Sequence, residues 1–123
     1  MIAEQNTKEL KIFDEIIKDP NIKIFYMSQV HDKICKCIWQ IYLDRHPDII
    51  VNLKPPLRQK QLNEAIFELT GIDHLELSTF KKVRGNSDIV LKILIALKGL
   101  GISYEDIFFD ANIIKMCKRL ITN

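Results

Sequence analysis

His74, Ser78, Lys81, Lys82 and Arg84 lie within one short stretch of the chain, and a spacing of four puts His74, Ser78 and Lys82 along one ridge of a helix. Imidazole, hydroxyl and ammonium groups on one ridge offer hydrogen bonds and positive charge to a polyanion or to polar edges. Leu75 lies on the same outward side and Lys81 at its margin, whereas Leu77, Phe80 and Val83 point the opposite way. One face packs and the other is free to touch something. A short basic cluster is, taken alone, most often a solvated helix face, and Asp73 and Glu76 dilute the local field. His74 alone is more often a surface histidine than a reader of bases. The functional reading therefore rests on the elements that hold these residues in order.

A second group with chemical potential is Cys35-Lys36-Cys37, with His31 four residues before Cys35. On a helix a Cys-x-Cys pair diverges by about 200°, and structural zinc needs convergent ligands, commonly four. Only His31 and Cys35 share a face, so packing of small apolar thiols is the expected role and no metal is assigned. Catalysis is not expected either. The three histidines sit in separate segments, and no nucleophile-elbow, phosphate-cradling glycine or His-Glu-x-x-His motif is present.

The elements around the ridge read as helices in close succession. From Leu57 to Thr70 the apolar positions Leu62, Ala65, Ile66 and Leu69 form one stripe, and Gly71 supplies a left-handed cap. Asp73-x-x-Glu76 is a variant capping box that starts a second helix running to Arg84. After Gly85-Asn86-Ser87 the run Asp88 to Gly99 is nearly all apolar, as expected of a helix enclosed by neighbours. Ser103 caps a short helix that buries Ile107 and Phe108. A helix-turn-helix unit of this kind places the Asp73 to Arg84 helix in a DNA major groove, which admits a helix carrying small and cationic groups.

Leu57-Arg58-Gln59, Leu69-Thr70-Gly71, Phe80 with Val83, Arg84-Gly85 and the closing Leu100-Gly101-Ile102-Ser103-Tyr104-Glu105-Asp106-Ile107-Phe108 together resemble the lambda repressor and Cro-like (XRE-type) helix-turn-helix family. The closing segment carries most of the likeness. The first helix of the pair is longer than the family's, the turn after Gly71 carries extra residues, and the loop after Gly85 is shorter. The resemblance implies an all-α fold with a five-helix core, here with an added N-terminal helix and a C-terminal helix. It also implies double-stranded DNA as partner, with Gln59 as a phosphate or base contact at a helix start. His74, Ser78, Lys81, Lys82 and Arg84 would lie on or beside the groove face, and Leu75 would meet a thymine methyl.

The flanks extend this core. Thr7 caps a first helix with Leu10, Phe13, Ile16 and Ile17 in a stripe, ended by Asp19-Pro20-Asn21. Ile22 to Tyr26 reads as a short extended piece. Ser28 then caps a helix to about Arg45, with Val30, Ile34, Ile38, Ile41 and Tyr42 on one side. His46 to Pro56, with its double proline, reads as an inserted loop. A terminal helix from Asp110 carries Ile113, Ile114, Met116, Cys117, Leu120 and Ile121, suited equally to dimerisation and to closing the core. The expected division is one domain over 1–123, comprising an extension (1–27), the core (28–108) with its loop (46–56), and the last helix (109–123).

Composition sets outer bounds. A chain of 123 residues with 47% hydrophobic and 28% charged residues and mean hydropathy near zero is globular rather than disordered. Four glycines and four prolines argue against a many-turned β architecture. No apolar run reaches membrane-spanning length, the N-terminus does not read as a secretory signal, and an odd number of cysteines suits a reducing compartment, so a cytoplasmic protein is expected. A net charge of +2 and a pI near 8.4 are only mildly basic. Phosphate neutralisation supplies much of DNA affinity, so a reader with few cations gains most simply by forming a homodimer on a two-fold site. The alternative is a helical adaptor or antitoxin that keeps the fold without reading DNA, and a protein partner on the flanking helices is compatible with either.

Overall fold

Asp19 and Pro20 start the longest element of the protein. The Asp19 carboxylate accepts hydrogen bonds from the amides of Asn21 (2.9 Å) and Ile22 (3.4 Å), and Pro20 stands in the first turn, where its missing N–H costs nothing. A computed structural model describes the backbone of residues 11–48, 55–78 and 87–122 and the side chains of 11–48, 58–78 and 91–122. In it, residues 11–18 form helix α1, and the chain continues as α2 (Pro20–Arg45), α3 (Pro55–Thr70), α4 (His74–Ser78), α5 (Ser87–Gly99), α6 (Tyr104–Phe108) and α7 (Ala111–Thr122). Among the described residues every regular element is helical, and no helix is long and apolar enough to cross a membrane.

The residues expected to be extended, Ile22 to Tyr26, are therefore helical, and Ser28 lies inside α2 rather than capping it. The cause is visible in the burial. Ile22, Tyr26, Val30, Ile34, Ile38 and Tyr42 are buried at every fourth position through the 26 residues of α2. Each step of four advances the stripe by about 40° around the helix. The stripe therefore winds, and α2 meets different neighbours along its length, packing on α7, α6 and α3.

Towards its start, Tyr26 is fully buried and donates its hydroxyl hydrogen to the Phe108 carbonyl in α6, and Phe13 of α1 meets its ring edge-on at 5.7 Å. Burial, with Cys117 beside it, pushes the Tyr26 phenol well above its ordinary pKa, so it remains a donor. Ile16 of α1 is fully buried in the same core, while Ile17 is exposed. Towards the other end of α2, Tyr42 packs against His46, whose Nε2 lies 2.8 Å from Glu68 Oε2 on α3.

Asp110 ties α7 to this frame. One carboxylate oxygen accepts the Asn112 and Ile113 amides at 3.0 and 3.1 Å, and the other meets Lys33 Nζ of α2 at 3.1 Å. Partial burial alone would raise this carboxyl, but the Ile113 amide, Lys33 and the Asn112 amide together outweigh it and hold its pKa below the usual value. Ile113 and Cys117 are buried against α2, so α7 helps close the core.

The double proline, expected to finish a loop, instead opens α3, a position where proline is well tolerated. Residues 49–54 of the expected insertion, together with Thr7 and Leu10, lie outside the described residues. Helix α5 is not enclosed on all sides. Ile93 and Leu97 are buried, but Leu91 and Ile95 are 57% and 63% exposed, because α3, α4 and α6 cover one face only. It ends with the Ile102 amide on the Leu97 carbonyl at 2.9 Å and Gly101 at φ +79°, a left-handed turn that favours glycine.

Removing the α2 cap with Asp19→Ala should lower unfolding free energy by about 1 kcal/mol, whereas Ser28→Ala should change it by less than about 0.5 kcal/mol. Urea denaturation of the two variants measures this, and equal losses would show that α2 does not start at Pro20. Because the folded pKa of Asp110 is depressed, its contribution is full above the ordinary aspartate value of about 3.9 and fades as pH falls through the lower folded value. Asp110→Asn preserves the cap and removes the charge. Acid titration of stability should therefore be flatter for this variant below about pH 4 than for the native chain.

Candidate nucleic-acid interface

Helix α3 carries the first component. Ala65 and Ile66 are buried, Leu62 and Leu69 pack against the core, and the opposite face leaves Arg58, Gln59 and Lys60 exposed near the helix start. Gln59 Nε2 donates to Asn63 Oδ1 one turn on, at 2.9 Å, which aligns two amide side chains along the helix.

The turn out of α3 is short. Thr70 Oγ1 donates back to the Ile66 carbonyl and accepts the Ile72 amide at 3.1 Å, while Gly71 takes φ +72°. Only glycine adopts that backbone without strain. Ile72 then turns inward, 5% exposed, and anchors the loop. Asp73 Oδ1 accepts the Leu75 amide at 2.7 Å and starts α4.

On α4 the expected two-sidedness is present over its described length. Leu77 is 2% exposed and Leu75 is 65% exposed. Ser78 is half-buried and donates its hydroxyl to the Leu75 carbonyl at 2.9 Å, so the group is held close to its own helix. His74 is partly exposed, its Nδ1 3.5 Å from Asp73 Oδ1. Helices α3, α4 and α5 all pack on one another.

Of the expected contact residues, Gln59, His74 and Ser78 are brought together on the wall of one cleft of about 280 Å³. Lys81, Lys82 and Arg84, with Phe80, Val83 and the Gly85 turn, lie outside the described residues. The second wall of the cleft comes from α2, through His31, Asp32 and Cys35, and Asn63 completes the α3 side. Asn63 was within reach of sequence reasoning, being one turn from Gln59. His31 was not, because local periodicity does not reveal which face of α2 crosses α3.

The electrostatics of this cleft are mixed. Asp32 and Asp73 are more than half exposed, and Arg58 and Lys60 flank Gln59 on the solvent side of α3. The described surface thus offers amide, hydroxyl and imidazole groups for hydrogen bonding more than it offers positive charge. Among the described residues no group of three or more His, Cys, Asp or Glu side chains is placed to hold a metal ion. No known protein family, curated protein or solved structure matches the chain.

The inward and outward faces of α4 have different energetic weights. Leu77→Ala should cost about 2–5 kcal/mol of unfolding free energy. Ser78→Ala, which removes a bond to a carbonyl of the same short helix, should stay within about 0.5 kcal/mol. Chemical denaturation separates the two, and a large loss in Ser78→Ala would reverse the assigned faces.

Proposed function

We propose that the chain is a sequence-specific DNA-binding transcriptional regulator, a repressor, acting in the cytoplasm as a homodimer that lays the helix beginning at His74 in the major groove. The observation that carries the reading is the pairing of α3 and α4 across the tight left-handed turn at Gly71, with Leu77 packed inward and Leu75 outward. A short turn, often with glycine, joins the two helices of a helix-turn-helix unit, whose second helix enters the groove with its N-terminal residues against the bases. Gln59, His74 and Ser78 on one cleft wall supply the hydrogen-bonding types such a contact uses, and the Gln59 amide has the donor and acceptor pair that adenine matches. Lys81, Lys82 and Arg84, together with Arg58 and Lys60, are the phosphate partners in this reading.

A second reading, a helical protein-interaction module, draws on Phe67, Leu91 and Ile95, each more than half exposed. Apolar side chains left in water on neighbouring packed helices suit a protein partner better than phosphate. Enzymatic activity is not proposed.

Titration of mixed-sequence duplex with salt separates the two. A DNA reader loses affinity steeply as salt rises, with a slope of about −0.9 per phosphate neutralised, whereas an adaptor shows no appreciable binding even at low salt. In the same assay Lys82→Ala should reduce the salt slope by roughly one and weaken all duplexes alike. Ser78→Ala should weaken the preferred duplex more than random duplex, with thermal stability nearly unchanged. Parallel loss of binding and of stability would count against this placement of the groove face.

A further inference from the structure

One side of α5 is left in water. Ile93 and Leu97 turn into the core, whereas Leu91 and Ile95, one turn apart on the other side, are 57% and 63% exposed. Lys98 stands one further turn along the same ridge and is exposed. The helix begins at Ser87, so position 88, an aspartate, stands one turn before Leu91. Positions 88, 91, 95 and 98 fall within about 80° of the helix circumference. The ridge therefore reads acid, apolar, apolar, base.

That order is complementary to itself read backwards, because position 88 is as far before Leu91 as Lys98 is beyond Ile95. When two copies of α5 lie antiparallel about a two-fold axis, Leu91 of one meets Ile95 of the other, and Asp88 of each stands level with Lys98 of its companion. Lys98 has no ion-pair partner among the described residues, whereas Lys92, at the edge of the ridge, lies 3.9 Å from Glu76 of α4. The two-fold brings the Lys92 edges of both copies to the same side of the contact. Two Lys92–Glu76 pairs meet there with no net charge, and both α4 helices lie on that side. The last helix offers no comparable ridge. In α7, Ile113 and Cys117 are buried, and of its large apolar side chains among the described residues only Leu120 is exposed.

We propose that the outward ridge of α5 is a self-association surface, on which a second copy of this chain docks antiparallel through Leu91, Ile95 and two Asp88–Lys98 charge pairs. Apolar contact at the centre supplies the attraction, and the charges at either end fix direction and register. With so short an apolar centre the contact stands at the small end of specific interfaces, so the dimer is a weak one. Two α4 helices on one side of such a dimer can address one duplex. That last consequence rests on the DNA-binding reading, while the association itself does not.

Sedimentation equilibrium of the full chain without DNA, over about 5 to 500 µM, measures the association. The native chain should pass from monomer towards dimer across this range. Replacing both Leu91→Gln and Ile95→Gln should weaken association by at least about tenfold with helicity by circular dichroism unchanged, because both side chains are exposed. Asp88→Lys alone and Lys98→Asp alone each set like charges opposite one another and should stay monomeric, whereas an equal mixture of the two should dimerise about as well as the native chain. A native chain that is monomeric throughout, a double glutamine variant that associates like the native chain, or a mixture no better than its components would overturn the surface. Should Asp88→Lys lose helix, the glutamine variants still decide it. A chain that dimerises as described and binds no duplex would sink the DNA reading and leave this surface standing.

Discussion

The dependence of every other element on α2 comes from one constraint, the burial of an apolar side chain at each fourth position from Ile22 to Tyr42. A stripe at that spacing winds around the helix, so no single neighbour covers it. Tyr26 is covered by α1 and α6, with its hydroxyl bonded to Phe108, and α7 and α3 pack on α2 as well. The flanking helices are thereby part of the same hydrophobic core as the helices that form the candidate interface. Burying each large side chain in this stripe contributes roughly 1.5–3 kcal/mol, which is a substantial fraction of the few kcal/mol separating folded from unfolded chains.

The candidate interface inherits its geometry from that packing. Because α2 presents His31 and Cys35 to α3, the start of α3 and the start of α4 converge on a shared cleft rather than on open solvent. Gly71 and the inward-turned Ile72 fix how α4 leaves α3, and Leu77 fixes its rotation. Among the described residues, amide, hydroxyl and imidazole groups meet there with a single carboxylate, that of Asp32. A reader built this way would take specificity from geometry, and its affinity from cations away from the cleft and from a second copy.

The stripe of α3, the left-handed cap at Gly71, the Ser103 cap and the two-sidedness of α4 were all legible in the sequence, because each depends on residues within one or two turns of one another. The start of α2 was misread for an instructive reason. Ser28 is a good helix cap and Ile22 to Tyr26 is β-branched and aromatic, so local preference pointed to a strand followed by a cap. Asp19 with Pro20 is a stronger start, and burial of Ile22 and of Tyr26, the latter against α1 and α6, rewards continuing the helix. The exposed face of α5 was misjudged similarly. Leu91 and Ile95 have the composition of core residues, and nothing local reveals that the neighbouring helices cover only the Ile93 and Leu97 side. Of the residues that line the cleft, His74 and Ser78 were singled out from helical spacing and Gln59 from the family resemblance, whereas His31, distant in sequence from each, joins them only through the α2 and α3 packing.

Selection of duplexes from a random pool by the full chain tests the DNA-reading claim most directly. The bound fraction should converge on an inverted repeat whose half-sites are about one helical turn apart, as two copies of an α3 and α4 unit require. A pool that returns with no enriched sequence after repeated rounds at low salt would contradict it.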